Sequence, residues 1–291
     1  MVKKAVIPAA GFGTRFLPAS KSQPKEMLPI VDQPVIQYVV EEIASAGITD
    51  ILMIIGKSKR AIEEHFDRNF ELENELEEKK KFKELEAIRR ISDLANVHFV
   101  WQKHLLGLGD AIRCARDHVN NEPFVVLLGD TLIGTRDGVS VTRRLIDIHE
   151  RYGASVVGLE EVPREKVERY GVIKGKPVEQ GDIYLVSDFV EKPSPEEAPS
   201  NLAIAGRYVF TPEIFGYLEK IKPGKNNEIQ LTDAMRKMVR QHAMYGYRFD
   251  GTRYDIGNKL DFLKTNIAFA LLRKDLRKPL AAYIKELAKE L

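Results

Sequence analysis

The residues most able to do chemistry crowd the N-terminal stretch. Ala9-Ala10-Gly11-Phe12-Gly13-Thr14-Arg15 follows the apolar run Ala5-Val6-Ile7, and Lys21 and Lys25 come next, among Pro18, Pro24 and Pro29. Glycines at such a place let the backbone bend sharply and bring its N–H groups to a ligand. Prolines stiffen the loop, so less entropy is lost on ordering it. Arg15 offers a planar fork and the lysines compact charges. Together these suit a polyphosphate. Two glycines alone also fit a tight structural turn, and Lys and Arg also fit a solvated loop. A Walker loop is excluded, because Gly13 is followed by Thr14-Arg15 and not by Lys-Ser/Thr. A dinucleotide fingerprint is excluded because Phe16 stands where its third glycine belongs.

Two further segments carry charge. Leu127-Leu128-Gly129-Asp130 ends an apolar run in an acid. A carboxylate there suits a hard cation such as Mg2+, which takes oxygen ligands and few of them from protein; an ordinary turn-forming Asp is the other reading. In Asp188-Phe189-Val190-Glu191-Lys192-Pro193, Glu191 can accept from adjacent sugar hydroxyls and Lys192 can meet a sugar phosphate, although a surface ion pair has the same sequence. The histidines and the one cysteine, Cys114, form no metal spacing and no nucleophile–base pattern.

The elements that must hold these residues follow a βαβ rhythm. Residues 4–9 read as a buried strand, followed by a loop from Ala10 to Pro34. Val35, Ile36, Val39, Val40 and Ile43 recur at helical spacing up to Gly47. Ile51–Ile55 is an apolar run suited to a strand covered on both faces. A strand over Val97–Gln102, a helix over Gly109–His118 and a strand over Phe124–Leu128 repeat the pattern. The expected class is α/β: a Rossmann-like open mixed sheet, mainly parallel, flanked by helices. Strand-like pieces recur at Gly171–Lys174, Ile183–Glu191 and Ala203–Phe210. The stretch 65–96 is charged with sparse leucines, which reads as a solvated helix laced with (i, i+4) pairs or as a helical arm for subunit contact. A helical tail is expected over about 260–291. No linker divides the chain, so residues 1–291 are expected to form one domain bearing that insert and tail.

Composition bounds the partners. The 291 residues carry 45 basic and 43 acidic side chains, a net charge of +2. That balance gives no general attraction to nucleic acid. No run of about 18 apolar residues exists, so no membrane span is expected, and a single cysteine fits a cytoplasmic protein.

The combination Gly11-Phe12-Gly13-Thr14-Arg15-Phe16-Leu17-Pro18 with Pro24-Lys25-Glu26-Met27-Leu28-Pro29 resembles the signature of nucleotidylyltransferases that activate sugar 1-phosphates. Within that family it is most similar to the bacterial uridylyltransferases acting on glucose 1-phosphate, and the likeness covers nearly the whole chain. Thymidylyl relatives typically carry Gly-Gly-x-Gly-Thr-Arg and a Lys-Gln pair, where this chain has Ala9-Ala10-Gly11-Phe12-Gly13-Thr14-Arg15 and Lys25-Glu26. The resemblance implies nucleotide contacts at Ala9, Ala10, Gly11, Gly13, Glu26, Gln102, Gly107 and Asp130. It implies sugar contacts at Gly171, Glu191 and Lys192. It implies Mg2+ on Asp130 and Asp255, and catalytic cations at Arg15, Lys25 and Lys192. This chain reads Gly129-Asp130-Thr131 where many relatives read Gly-Asp-Asp. Gln102, with Gly107 after it, resembles the base-reading segment: an amide can donate to and accept from a pyrimidine edge, and a glycine lets backbone approach the ring. Glu228-Ile229-Gln230-Leu231-Thr232-Asp233 also matches the family, with Thr232 or Asp233 expected to cap a following helix.

The implied reaction joins UTP and glucose 1-phosphate into UDP-glucose and pyrophosphate. The competing expectations are a dTTP-using or other sugar-1-phosphate enzyme, and a non-catalytic sugar-nucleotide sensor. A sensor should have lost charged site residues, yet Arg15, Lys25, Asp130, Lys192 and Asp255 are all present. Relatives form homo-oligomers, so a homodimer or homotetramer is expected.

Overall fold

A computed structural model describes residues 1–179, 181–224 and 227–290. In chain order, β1 (Lys4–Ala9) leads through the glycine loop to a small hairpin, β2 (Pro29–Ile30) and β3 (Gln33–Pro34). Then come α1 (Val35–Ser45), β4 (Asp50–Ile55), α2 (Arg60–Phe66), α3 (Phe70–Glu78), α4 (Phe82–Ser92) and β5 (Asn96–Trp101). Two short helices, α5 (Leu108–Arg113) and α6 (Arg116–Val119), precede β6 (Phe124–Leu127) and β7 (Thr131–Thr135). The chain continues through α7 (Val141–Tyr152), β8 (Ser155–Glu161), β9 (Gly171–Glu179), β10 (Ile183–Glu191) and β11 (Leu202–Phe210). It closes with α8 (Ile214–Leu218), α9 (Leu231–Met238), β12 (Met244–Arg248), β13 (Gly251–Asp255), α10 (Lys259–Leu272) and α11 (Lys274–Leu287).

The main sheet runs β5-β4-β1-β6-β11-β8-β12-β10-β9. Its first four strands are parallel, as the uninterrupted apolar runs of β1, β4 and β6 require: such strands need cover on both faces. Beyond β6 the pattern departs from the expected open, mainly parallel sheet. The pairs β6–β11, β11–β8, β12–β10 and β10–β9 are antiparallel, and only β8–β12 is parallel. In addition β11 meets β9 at Ala203↔Val172, so the C-terminal strands return on themselves. The register shift in β11 between Ile204 and Tyr208, around the positive-φ Gly206, bends that strand toward both neighbours. Separate apolar clusters cover the faces: Val35, Val39, Val40 and Ile43 of α1 pack on one, and Ile112, Phe215 and Met235 on the other.

The insert is two helices, α3 and α4, turned back at the positive-φ Lys80. Its tie is not a lacework of surface pairs. Glu73 is buried and receives both Arg68 and Arg89, and these guanidinium hydrogen bonds hold its carboxyl down at about 2. Glu75–Lys79 is the (i, i+4) ion pair of the insert among the described residues. The helix expected over Gly109–His118 is interrupted at Cys114-Ala115. The expected tail is α10 and α11, with Leu291 outside the described residues. No helix among the described residues is long and apolar enough to cross a membrane.

Candidate active site

At the carboxyl end of β1 the loop tightens into single 3-10 turns at Thr14–Phe16, Ala19–Lys21 and Lys25–Met27. Gly13 turns the chain with φ 65°, and a Cβ there would press on the Lys25 side chain at 3.1 Å, so glycine both makes the turn and seats the lysine. The Ser20 hydroxyl donates to the Gly13 carbonyl at 2.8 Å and braces it. Nothing lies near the open side of Gly11. A cavity of about 490 Å3 opens over this loop, lined by Ala10, Gly11, Gly13, Lys25, Glu26, Gln102, Gly107 and Asp130. Ala9 does not line it: its side chain belongs to the core under β1. Arg15 lines it neither, and Lys21 is exposed. The Arg15 guanidinium donates to the Gly257 carbonyl at 3.3 Å, tying the glycine loop to the turn after β13.

Two ion pairs sit side by side. The Lys25 ammonium donates to Asp130 Oδ2 at 2.6 Å, and Lys59 Nζ donates to Glu26 Oε2 at 2.6 Å. Because Lys25 and Glu26 are neighbours, the four charges alternate from Lys59 to Asp130. Burial alone opposes charge on Lys25, Lys59 and Asp130. For Asp130, burial works against the carboxylate but the Lys25 ammonium overcomes it, leaving its pKa below the usual range. For Lys25, burial is likewise outweighed, by Asp130 and Glu26, and its pKa is raised. For Lys59 burial wins over Glu26 and the pKa falls.

Asp130 follows β6 and begins the turn into β7; Asp255 ends β13. Those two strands pair with Asp255 opposite Thr131, and the Ile256 N–H donates to the Asp130 carbonyl at 3.0 Å. The two acids expected from the resemblance therefore stand at neighbouring backbone positions across one ladder, with Asp255 Oδ1 accepting from the Gly257 N–H at 2.8 Å. Fully buried Arg207 fixes this junction: its guanidinium donates to the Thr131 carbonyl at 2.7 Å and to Glu42 at 2.8 Å. Thr131, the departure from Gly-Asp-Asp, is thus held by its backbone. No group of three or more acidic, His or Cys side chains gathers for a metal among the described residues. Two carboxylates still fit Mg2+, which keeps waters and takes its other oxygens from substrate phosphates.

A second cavity, about 240 Å3, shares Asp130 and is lined by Asp255, Gly171, Glu191, Lys192 and Thr232. Glu191 ends β10 directly opposite Gly171. A side chain at 171 would meet Ile204 Cδ1 at 3.0 Å, Glu191 Oε2 at 3.2 Å and Thr232 Oγ1 at 3.3 Å, so glycine keeps this wall open. Lys192 adopts φ 47°, and its ammonium sits 3.3 Å from Glu191 Oε1. Neither Thr232 nor Asp233 caps α9; both lie inside it, and Gln230 holds the cap position without a side-chain bond. The Thr232 hydroxyl instead donates to Glu191 Oε2 at 2.6 Å, because the first turn of α9 packs against the end of β10.

The base-reading segment is held from two sides. The Gln102 backbone extends the sheet by donating to Ile55, while Ile229 and Gly109 tie the loop to the segment before α9. Gly107 has φ 90°, and a Cβ there would stand 2.8 Å from Glu228 Cβ. The Gln102 side-chain nitrogen donates to Asp110 Oδ2 at 2.8 Å and to the Gly107 carbonyl at 3.1 Å. Lys59, Asp110 and Thr232 therefore hold the lining residues Glu26, Gln102 and Glu191, roles that no local motif in the sequence marks. The only signal for Asp110 is its place one turn after the Gly107 hinge; Lys59 has none, since its partner is set only by the fold.

Residues 4–270 match the Nucleotidyl transferase family. The chain is 52% identical over 286 residues to a UTP--glucose-1-phosphate uridylyltransferase of Staphylococcus epidermidis, covering 98% of each protein. A UDP-glucose pyrophosphorylase solved in complex with UDP-glucose is 44% identical with TM-score 0.85, covering 94% of this chain and 100% of that one. The UTP-bound enzyme of Acinetobacter baumannii is 41% identical with TM-score 0.91, covering 99% of this chain and 100% of that one.

Proposed function

The chain belongs to the nucleotidyl transferase family, and we propose that it is a UTP–glucose-1-phosphate uridylyltransferase, making UDP-glucose and pyrophosphate. The observation that carries this reading is that the glycine-loop cavity and the Glu191–Lys192 cavity share Asp130. UTP occupies the first and glucose 1-phosphate the second, with the reacting phosphates meeting at that carboxylate. Near-full-length identity to a uridylyltransferase supports it.

A phosphate oxygen of glucose 1-phosphate attacks the α-phosphorus of UTP; the new P–O bond forms as the α–β P–O bond breaks, and pyrophosphate leaves with that electron pair. The nucleophile is already anionic, so no general base is needed. The protein must align two anions and stabilise the charge of the transition state. Lys25, released from Asp130, and Arg15, released from the Gly257 carbonyl and turned into the cavity, meet the triphosphate. Lys192 orients the attacking phosphate, Glu191 accepts from sugar hydroxyls, and Gln102 and Gly107 face the base. Each preorganised charged contact contributes about 2.7–4 kcal/mol. Mg2+ on Asp130 and Asp255 would neutralise phosphate charge. Residues 1–291 act as one nucleotidyltransferase domain in the cytoplasm. Leu260, Leu263 and Ile267, exposed along one side of α10, support a homodimer or homotetramer.

The test is a matrix of nucleoside triphosphates against sugar 1-phosphates, read by pyrophosphate release. UTP with glucose 1-phosphate should give the highest kcat/KM. A clear preference for dTTP or for another sugar overturns the assignment.

A further inference from the structure

Asp110 is a buried acid that the reaction itself does not use. It stands in the first turn of α5, with Oδ2 toward Gln102 and Oδ1 3.1 Å from the Arg113 guanidinium. A primary amide has two N–H donors and one carbonyl acceptor. Both groups beside the Gln102 nitrogen, the Asp110 carboxylate and the Gly107 carbonyl, can only accept. The NH2 end must therefore face them, because the flipped amide would set its oxygen against two other oxygens. Both donors are then spent inside the protein. The Gln102 oxygen has no partner among the described residues, and the residue lines the nucleotide cavity.

We propose that Asp110 is a positioning residue for base choice, holding the Gln102 amide with its oxygen toward the base so that the site selects a pyrimidine carrying an N3–H over cytosine. This rests on the nucleotide reading of the glycine-loop cavity. Uracil donates from N3, and a fixed acceptor meets that hydrogen. Cytosine has a lone pair at N3, so the same oxygen repels it, and the amide cannot turn to offer a donor while Asp110 holds its nitrogen. Thymine also carries N3–H, so this contact does not separate UTP from dTTP. A site built around one hydrogen bond rejects the analogue lacking it, because a buried polar group is left unpaired.

The experiment measures kcat/KM for UTP and CTP with glucose 1-phosphate, in the unaltered protein, Asp110→Leu, Asp110→Asn, Gln102→Ala and the double variant Asp110→Leu/Gln102→Ala. Thermal melting reports folding of each. Asp110→Leu frees the amide to turn, and the UTP-over-CTP ratio should fall by roughly ten- to hundredfold. Asp110→Asn keeps an acceptor on the same stem and should retain most of the ratio. Adding Asp110→Leu to Gln102→Ala should change the ratio no further, which a merely structural role would not produce. If Asp110→Leu does not fold, Asp110→Ser takes its place with the same expectation. The proposal is overturned if the folded Asp110 variant keeps the full ratio while Gln102→Ala lowers it, or if Asp110→Leu lowers it further without Gln102. If Gln102→Ala itself leaves the ratio and the UTP KM unchanged, the reading of the cavity as the base site has failed instead.

Discussion

Replacing Lys59 by methionine removes one half of a buried ion pair and leaves the other. The side chains of Lys59 and Glu26 retain only 5% and 2% of their exposure, and the pair is closed at 2.6 Å. Methionine fills a similar volume, so packing changes little and the main effect is electrostatic. Stranding a buried carboxylate destabilises by about 3–5 kcal/mol. For a chain of this size that is a fall in Tm of roughly 6–20 °C. The pair itself is not a source of stability. Burial pushes the Lys59 pKa below its ordinary 10.5 despite Glu26, so desolvation outweighs attraction. The folded state thus holds this proton more weakly than the unfolded chain. The resulting destabilisation is full below the folded pKa and fades as pH rises from there to 10.5. The double variant Lys59→Met/Glu26→Gln should therefore melt near the unaltered protein at neutral pH, and the unaltered protein should gain on it as pH rises. Circular dichroism melts of the three proteins across pH make the comparison. A Lys59→Met loss below about 1 kcal/mol, or a double variant no better than the single, refutes the reasoning.

Three other outcomes are expected. Lys192→Ala should raise the KM for glucose 1-phosphate more than that for UTP, measured with each substrate varied; a change confined to the UTP parameters would mean the sugar-phosphate role is wrong. Thr232→Val deletes the hydroxyl that orients Glu191 and should weaken glucose 1-phosphate binding by about tenfold, with little change in Tm. Sedimentation should find a dimer or tetramer, and Leu263→Glu with Ile267→Glu, one turn apart on an exposed face of α10, should shift it toward monomer; a monomer at high concentration before any substitution rejects the assembly.

The sequence revealed the parallel half of the fold because β1, β4 and β6 are unbroken apolar runs between turn residues. It revealed β10 and β11 nearly to the residue. It revealed only the start of β9, since Gly175 and Pro177 break the pattern while the strand continues through shifted registers with β10. β13 is short and only partly buried, so no alternation marks it, although Asp255 depends on its ladder with β7. α7 carries a readable signal in the Ser140 cap followed by Val141, Leu145 and Ile148 at helical spacing. In the site, residues whose roles come from backbone freedom or charge in a local motif were visible, as with Gly13, Lys25 and Asp130. Residues whose roles come from a distant partner were not. Lys59 finds Glu26 and Arg207 finds Thr131 only after the sheet is built. Thr232 looked like a cap because cap residues and hydroxyls aimed at a neighbouring strand are written with the same letter.

The most direct measurement on the central claim, that both substrates meet at Asp130, is steady-state turnover of Asp130→Ala against a magnesium titration, with circular dichroism confirming the fold. A partly exposed carboxylate at a strand end is not core packing, so the fold should survive. Turnover should drop by roughly a hundredfold or more, because a contact strengthened in the transition state is gone. Full turnover at ordinary magnesium would contradict the account.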